Sequence, residues 1–103
     1  MKKQNENSWK WLTDRIPAGK ADAVSMPHLA RVMNMNPREL RLAVEQARRA
    51  GILICSCEKG YFMPETLQEI REHAHRMDAR IRTGRDCLRP FLKEIRRTEA
   101  SRK

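Results

Sequence analysis

The sequence has 103 residues, with 22 Lys and Arg against 13 Asp and Glu, a formal net charge of +9. This length suits one domain with an appended helix, and the positive excess points to a polyanionic partner, most commonly nucleic acid. No stretch approaches the ~18 continuous apolar residues of a membrane span. The polar residues 1–7 do not resemble a secretory signal, and the odd set Cys55, Cys57 and Cys87 does not make a secreted disulfide framework. A cytoplasmic protein with no membrane partner is expected.

Ser8 is placed to cap a first helix in which Trp9, Leu12 and Ile16 recur at helical spacing, with Pro17 ending it. Residues 20–24 then form a connector, with a short edge strand at Ala23 and Val24. Ser25 caps a second helix carrying Pro27 in its first turn. Its apolar positions are Met26, Leu29, Ala30, Val32 and Met33. Asn34, which tolerates the left-handed conformation, closes it.

Asn36 caps a third helix that starts at Pro37, runs to Ala50 and takes Gly51 as its C-terminal cap. Two capped helices joined by so short a turn read as a helix-turn-helix. The β-prone residues 52–57, a turn at 58–60 and a return strand over 61–63 ending at Pro64 form a hairpin. Gly60 supplies the positive φ of its tight turn. A hairpin directly behind a helix-turn-helix is a wing.

Thr66 and Glu69 form a capping box at the start of a long helix. Leu67, Ile70, Ala74, Met77, Ile81, Gly84, Leu88, Phe91 and Ile95 follow at alternating spacings of three and four, a heptad seam. Gly84 weakens the helix and Pro90 kinks or breaks it, giving one bent helix or two hinged near residues 83–86. The expected fold class is mainly α with a small β-hairpin (α+β). It comprises a winged helix-turn-helix over residues 1–64, a helical extension over 65–98 for dimerisation or packing, and a disordered basic tail over 99–103.

At 100° per residue, Leu40, Ala43, Val44, Ala47 and Ala50 gather on one side of the third helix. Arg38, Arg41, Leu42, Glu45 and Arg49 gather on the other, with Gln46 and Arg48 at the flanks. The apolar side belongs in the core. The charged side is either a solvated face or a reader of duplex DNA. An arginine fork matches guanine O6 and N7, or a phosphate. The first half of a recognition helix enters the major groove.

Arg38, Arg41 and Leu42, next to the cap Asn36, are therefore expected nearest the bases, with Leu42 able to touch a thymine methyl. Glu45 accepts from cytosine or pairs with Arg41 or Arg49. Arg48 and Arg49 reach phosphates. Lys20, His28 and the hairpin's Lys59 are further backbone contacts.

These residues resemble a known group. The run Val24-Ser25, Leu29-Ala30, Asn34, Arg38-Glu39-Leu40-Arg41, Val44, Gly51-Ile52-Leu53-Ile54 and Lys59-Gly60-Tyr61-Phe62-Met63-Pro64 is similar to winged-helix proteins of Gram-positive phages and prophages. Such proteins carry a long helix after the wing. The resemblance covers roughly residues 20–82. It implies DNA binding in transcriptional control or phage replication.

Cys55 and Cys57 with His73 and His75 do not space as a structural zinc site, because the two histidines stand about 200° apart on a helix. No metal or cofactor is expected. Gly19-Lys20 lacks the remainder of a phosphate-binding loop. With no recognisable nucleophile motif, no catalytic residue is assigned and the protein is read as a non-enzyme. Trp9 anchors the core; Trp11 falls off that face.

The heptad residues from Leu67 to Ile95 fold back on the core or pair with a second copy. A homodimer would double the contacts to double-stranded DNA. The competing function is a protein-interaction module that docks an acidic partner.

Overall fold

The computed structural model describes residues 6–101. Among them the protein is mainly helical, with one antiparallel two-stranded hairpin. The chain divides into two compact units, Met1–His73 and Ala74–Lys103.

In the first unit a 3-10 turn, Glu6–Trp9, leads into α1, Lys10–Thr13. Ser8 is not the cap of α1. It lies inside the 3-10 turn, and Trp9 holds the cap position without a side-chain bond. The helix also ends earlier than Pro17 alone would dictate. Arg15 N–H bonds the Leu12 carbonyl and Ile16 N–H that of Thr13, both at 3.1 Å. These tight i→i+3 closures end regular helix. Leu12 and Ile16 are nonetheless buried, and Trp9 packs against the same cluster. A second 3-10 turn, Lys20–Asp22, fills the connector. The expected edge strand shrinks to a single bridge between Val24 and Tyr61.

α2, Met26–Val32, begins where Ser25 Oγ accepts the His28 N–H at 3.3 Å. It ends in a Schellman motif. Asn34 takes φ 55°, Met35 N–H reaches the Ala30 carbonyl at 2.9 Å, and Asn34 N–H reaches Arg31 at 3.1 Å. α3, Pro37–Arg49, opens on a full capping box: Asn36 accepts from Glu39 N–H at 2.9 Å and donates to the Glu39 carboxylate at 3.0 Å. It closes on a second Schellman motif. Gly51 at φ 99° sends its N–H to Arg48, and Ile52 N–H returns to Ala47, each at 3.0 Å. Leu40, Ala43, Val44 and Ala47 are buried, while Ala50 is half-buried. The small alanines leave room for α2, which packs on α3.

The hairpin is shorter than its β-prone run. β1 is Cys55–Cys57 and β2 is Gly60–Phe62, with Cys55 opposite Phe62 and Cys57 opposite Gly60. Ile52 and Ile54 are in the core instead of the ladder, because the chain is still leaving the helix cap there. Glu58 and Lys59 make the turn, so Gly60 lies just after it, at φ 139°. Glycine is required by crowding: a Cβ would collide with the Val24 carbonyl oxygen. That closeness lets Val24 and Tyr61 exchange backbone bonds of 2.8 and 2.9 Å. Met63 is tied in the same way, donating to Pro17 and accepting from Gly19, both at 2.8 Å.

α4, Leu67–Ser101, is one continuous helix that begins in the first unit and forms the described part of the second. Neither Gly84 nor Pro90 divides it, although Pro90 has no N–H to give the Asp86 carbonyl. Flanking pairs at helical spacing, Asp86–Arg89 at 3.2 Å and Glu94 with Arg97 and Thr98, hold the turns on either side. Within the expected disordered tail over 99–103, residues 99–101 are helix, the Ser101 hydroxyl bonding the Arg97 carbonyl at 3.1 Å, and 102–103 lie outside the described residues.

The expected capping box at the start of α4 forms only in part. Thr66 Oγ1 accepts from Glu69 N–H at 3.2 Å. The Glu69 carboxylate, however, takes the N–H of Glu65 at 2.8 Å and of Lys20 at 3.0 Å. Those donors, Glu65 first and Lys20 next, hold its pKa below the ordinary value. His73 Nδ1 accepts Ser56 N–H at 3.2 Å, fixing the start of α4 to β1. Among the described residues no helix is long and apolar enough to cross a membrane.

Candidate nucleic-acid interface

α3 has two chemically opposed sides, and burial of one fixes the display of the other. Leu40 is fully buried, so Arg38, Arg41, Leu42, Glu45 and Arg49 stand exposed. Leu42, 52 % exposed, is the large apolar side chain in this set. Arg38 and Arg41 are three residues apart, hence neighbours on the helix surface. Neither forms an ion pair with another described residue. An exposed, unneutralised guanidinium pair beside a leucine suits a ligand that is anionic along its rim and apolar in places.

The other expected contacts divide by how strongly the protein already holds them. Asn36 is occupied as the cap of the Glu39 N–H, and the Glu39 carboxylate takes the Asn36 N–H in return, so the positive end of the α3 dipole already faces a carboxylate. Glu45 lies 3.7 Å from Arg49, one turn on, which favours its local pairing.

Arg48 is half-buried, and its Nε donates to the Ile54 carbonyl at 2.8 Å. It therefore fastens the end of α3 to the approach of β1 and is withdrawn from the outward face. Lys20 lies 3.6 Å from Glu72, and Lys59 Nζ donates to the Ala21 carbonyl at 3.4 Å. Both expected backbone contacts are thus engaged within the first unit. His28 is exposed, with only its backbone N–H used in the cap.

One cation was not singled out from the sequence. Arg31 is exposed in the last turn of α2, three residues after His28, and that spacing was the available signal.

The expected pairing seam is exposed as well. In the first unit Leu67 is exposed and Ile70 half-buried; in the second, Ala74, Met77, Ile81, Leu88, Phe91 and Ile95 are all exposed. Leu92 is exposed beside them. No protein-family model, curated protein or solved structure matches the chain.

Proposed function

We propose that the chain is a winged helix-turn-helix protein that binds duplex DNA through α3, as a phage-type transcriptional regulator or replication accessory protein. The observation that carries this reading is the exposed pair Arg38 and Arg41 beside Leu42, on a helix whose opposite side is core. The order of elements supports it: α1, the Val24 bridge, α2, a tight left-handed turn, α3 and a hairpin.

In this reading Arg38 and Arg41 approach guanine edges or phosphates and Leu42 a thymine methyl, while Arg31, His28 and Arg49 lie toward the DNA backbone. Two copies join through the α4 stripe. The odd cysteine set fits a cytoplasmic location.

The test is fluorescence anisotropy of a labelled random duplex across a series of salt concentrations. Wild type is expected to bind with a steep salt dependence. The double variant R38A/R41A should bind more weakly, and its log–log slope should fall by ~0.9 for each of the two arginines that meets a phosphate, up to about 1.8. Equal affinity and slope in the double variant would remove α3 as the reader. No binding by wild type even at low salt would remove duplex DNA as the ligand and leave the acidic protein partner as the reading to pursue.

A further inference from the structure

The apolar stripe of α4 within Ala74–Lys103 carries a pattern that selects its occupant. In heptad terms Ala74, Ile81, Leu88 and Ile95 are a positions, and Met77, Gly84 and Phe91 are d positions. Pro90 falls at c, outside the seam, so its missing N–H does not interrupt the apolar contact.

Side-chain volume alternates unevenly along this seam. In a parallel pair, like positions meet. Gly84 would face Gly84 and leave a void, while Phe91 would face Phe91 and overfill the next d layer. Turned antiparallel with Asp86 at the two-fold axis, the layers become Met77 with Ile95, Ile81 with Phe91, and Gly84 with Leu88. Each of these sets a smaller side chain against a larger one or two of similar size.

Charge selects the same arrangement. In parallel pairing the flanking positions place Arg80 against Arg85 and Glu94 against Glu99, two like-charge pairs on each side. In the antiparallel register Arg80 faces Glu94 of the second copy twice, at the two ends of one side. Arg85 meeting its own copy near the axis is then the one like-charge contact within residues 74–101. Glu94 is exposed, and its local donors Arg97 and Thr98 use three of its roughly four lone-pair sites. A partner's guanidinium can therefore still reach it.

We propose that α4 pairs with α4 of a second copy as an antiparallel coiled coil centred on Asp86. This rests on the self-association part of the reading above and not on DNA binding. It also predicts that the two Cys87 side chains flank the axis on one side.

The experiment is sedimentation equilibrium of the full chain as wild type, R80E and E94R, alone and mixed. Wild type should be a dimer. In the antiparallel register each single variant sets like charges together twice, and its dimer Kd should rise about tenfold, as two exposed pairs change sign. The equimolar mixture restores both pairs as a heterodimer and should regain wild-type affinity.

A parallel dimer predicts the opposite: each single variant then creates an Arg–Glu pair and tightens. Tightening by both variants, or affinities that do not respond, would overturn the orientation. A wild type that stays monomeric at every concentration would overturn the pairing itself. Far-UV circular dichroism of the variants checks that helix content is unchanged.

Discussion

α3 and α4 carry the same kind of amphipathic signal and dispose of it differently. The apolar side of α3 is buried, from Leu40 to Ala47, whereas α4 has no buried residue over its full length. The difference lies in what the neighbouring chain can supply. α3 is bracketed by two Schellman turns that fold Met35 and Ile52 back onto the core it shares with α2. The seam of α4 has larger side chains and no such local returns. Periodicity shows that a face exists; it does not show what covers it.

The largest expected effect tests that contrast directly. Leu40→Ala should cost about 2–5 kcal/mol in urea unfolding, the range for a buried leucine truncation. Phe91→Ala, at a side chain 69 % exposed, should leave the stability of the dilute chain nearly unchanged and weaken its dimer. A Phe91→Ala loss as large as that of Leu40→Ala, at a dilution where the chain is monomeric, would break the comparison.

A smaller pair of opposite sign follows from the glycines. Gly51→Ala forces a side chain into the left-handed region and should destabilise by about 1 kcal/mol. Gly84 has open space where a Cβ would stand and no positive φ, so Gly84→Ala should stabilise α4 by about 0.5–1 kcal/mol. Asn36→Ala, which removes the α3 capping box, should cost about 1 kcal/mol. Thermal unfolding of the three variants checks all of these.

The smallest effect is pH-dependent. Glu69 has its folded pKa lowered from an ordinary value of 4.5, chiefly by the Glu65 and Lys20 amides. A lowered folded value means that its stabilisation is fully present above the unfolded value and is lost as pH falls through the folded one. Stability should therefore fall on acidification below about pH 4.5. Glu69→Gln should flatten that limb, measured by urea midpoints at several pH values. A limb of unchanged slope would mean that other carboxylates carry it.

The sequence was most legible where a local motif is self-sufficient. Ser25, Asn34, Asn36 and Gly51 each satisfy backbone groups within six residues, and all four perform the expected capping. The exposed set Arg38, Arg41 and Leu42 was legible for the same reason, since 100° per residue decides it. Partners that are distant or lie outside the element were not legible. Arg48 bonds the carbonyl of Ile54 beyond the helix end, Lys20 meets Glu72, and Lys59 meets Ala21. The start of β1 was misplaced because Ile52 and Ile54 are β-prone yet serve the core. Gly60 takes the positive φ expected of it, but the crowding by Val24, far back in the chain, was not legible.

The attachment of the hairpin also carries information about time. Asn34 and Gly51 close the α2–α3 pair with contacts between near neighbours, which form early at low cost in chain entropy. The bonds of Tyr61 to Val24 and of Met63 to Pro17 and Gly19 close loops of roughly forty residues. The chain should thus assemble its two central helices first and knit its small sheet last. Amide exchange should register the reverse order, with Val24 and Met63 opening before the interior of α3.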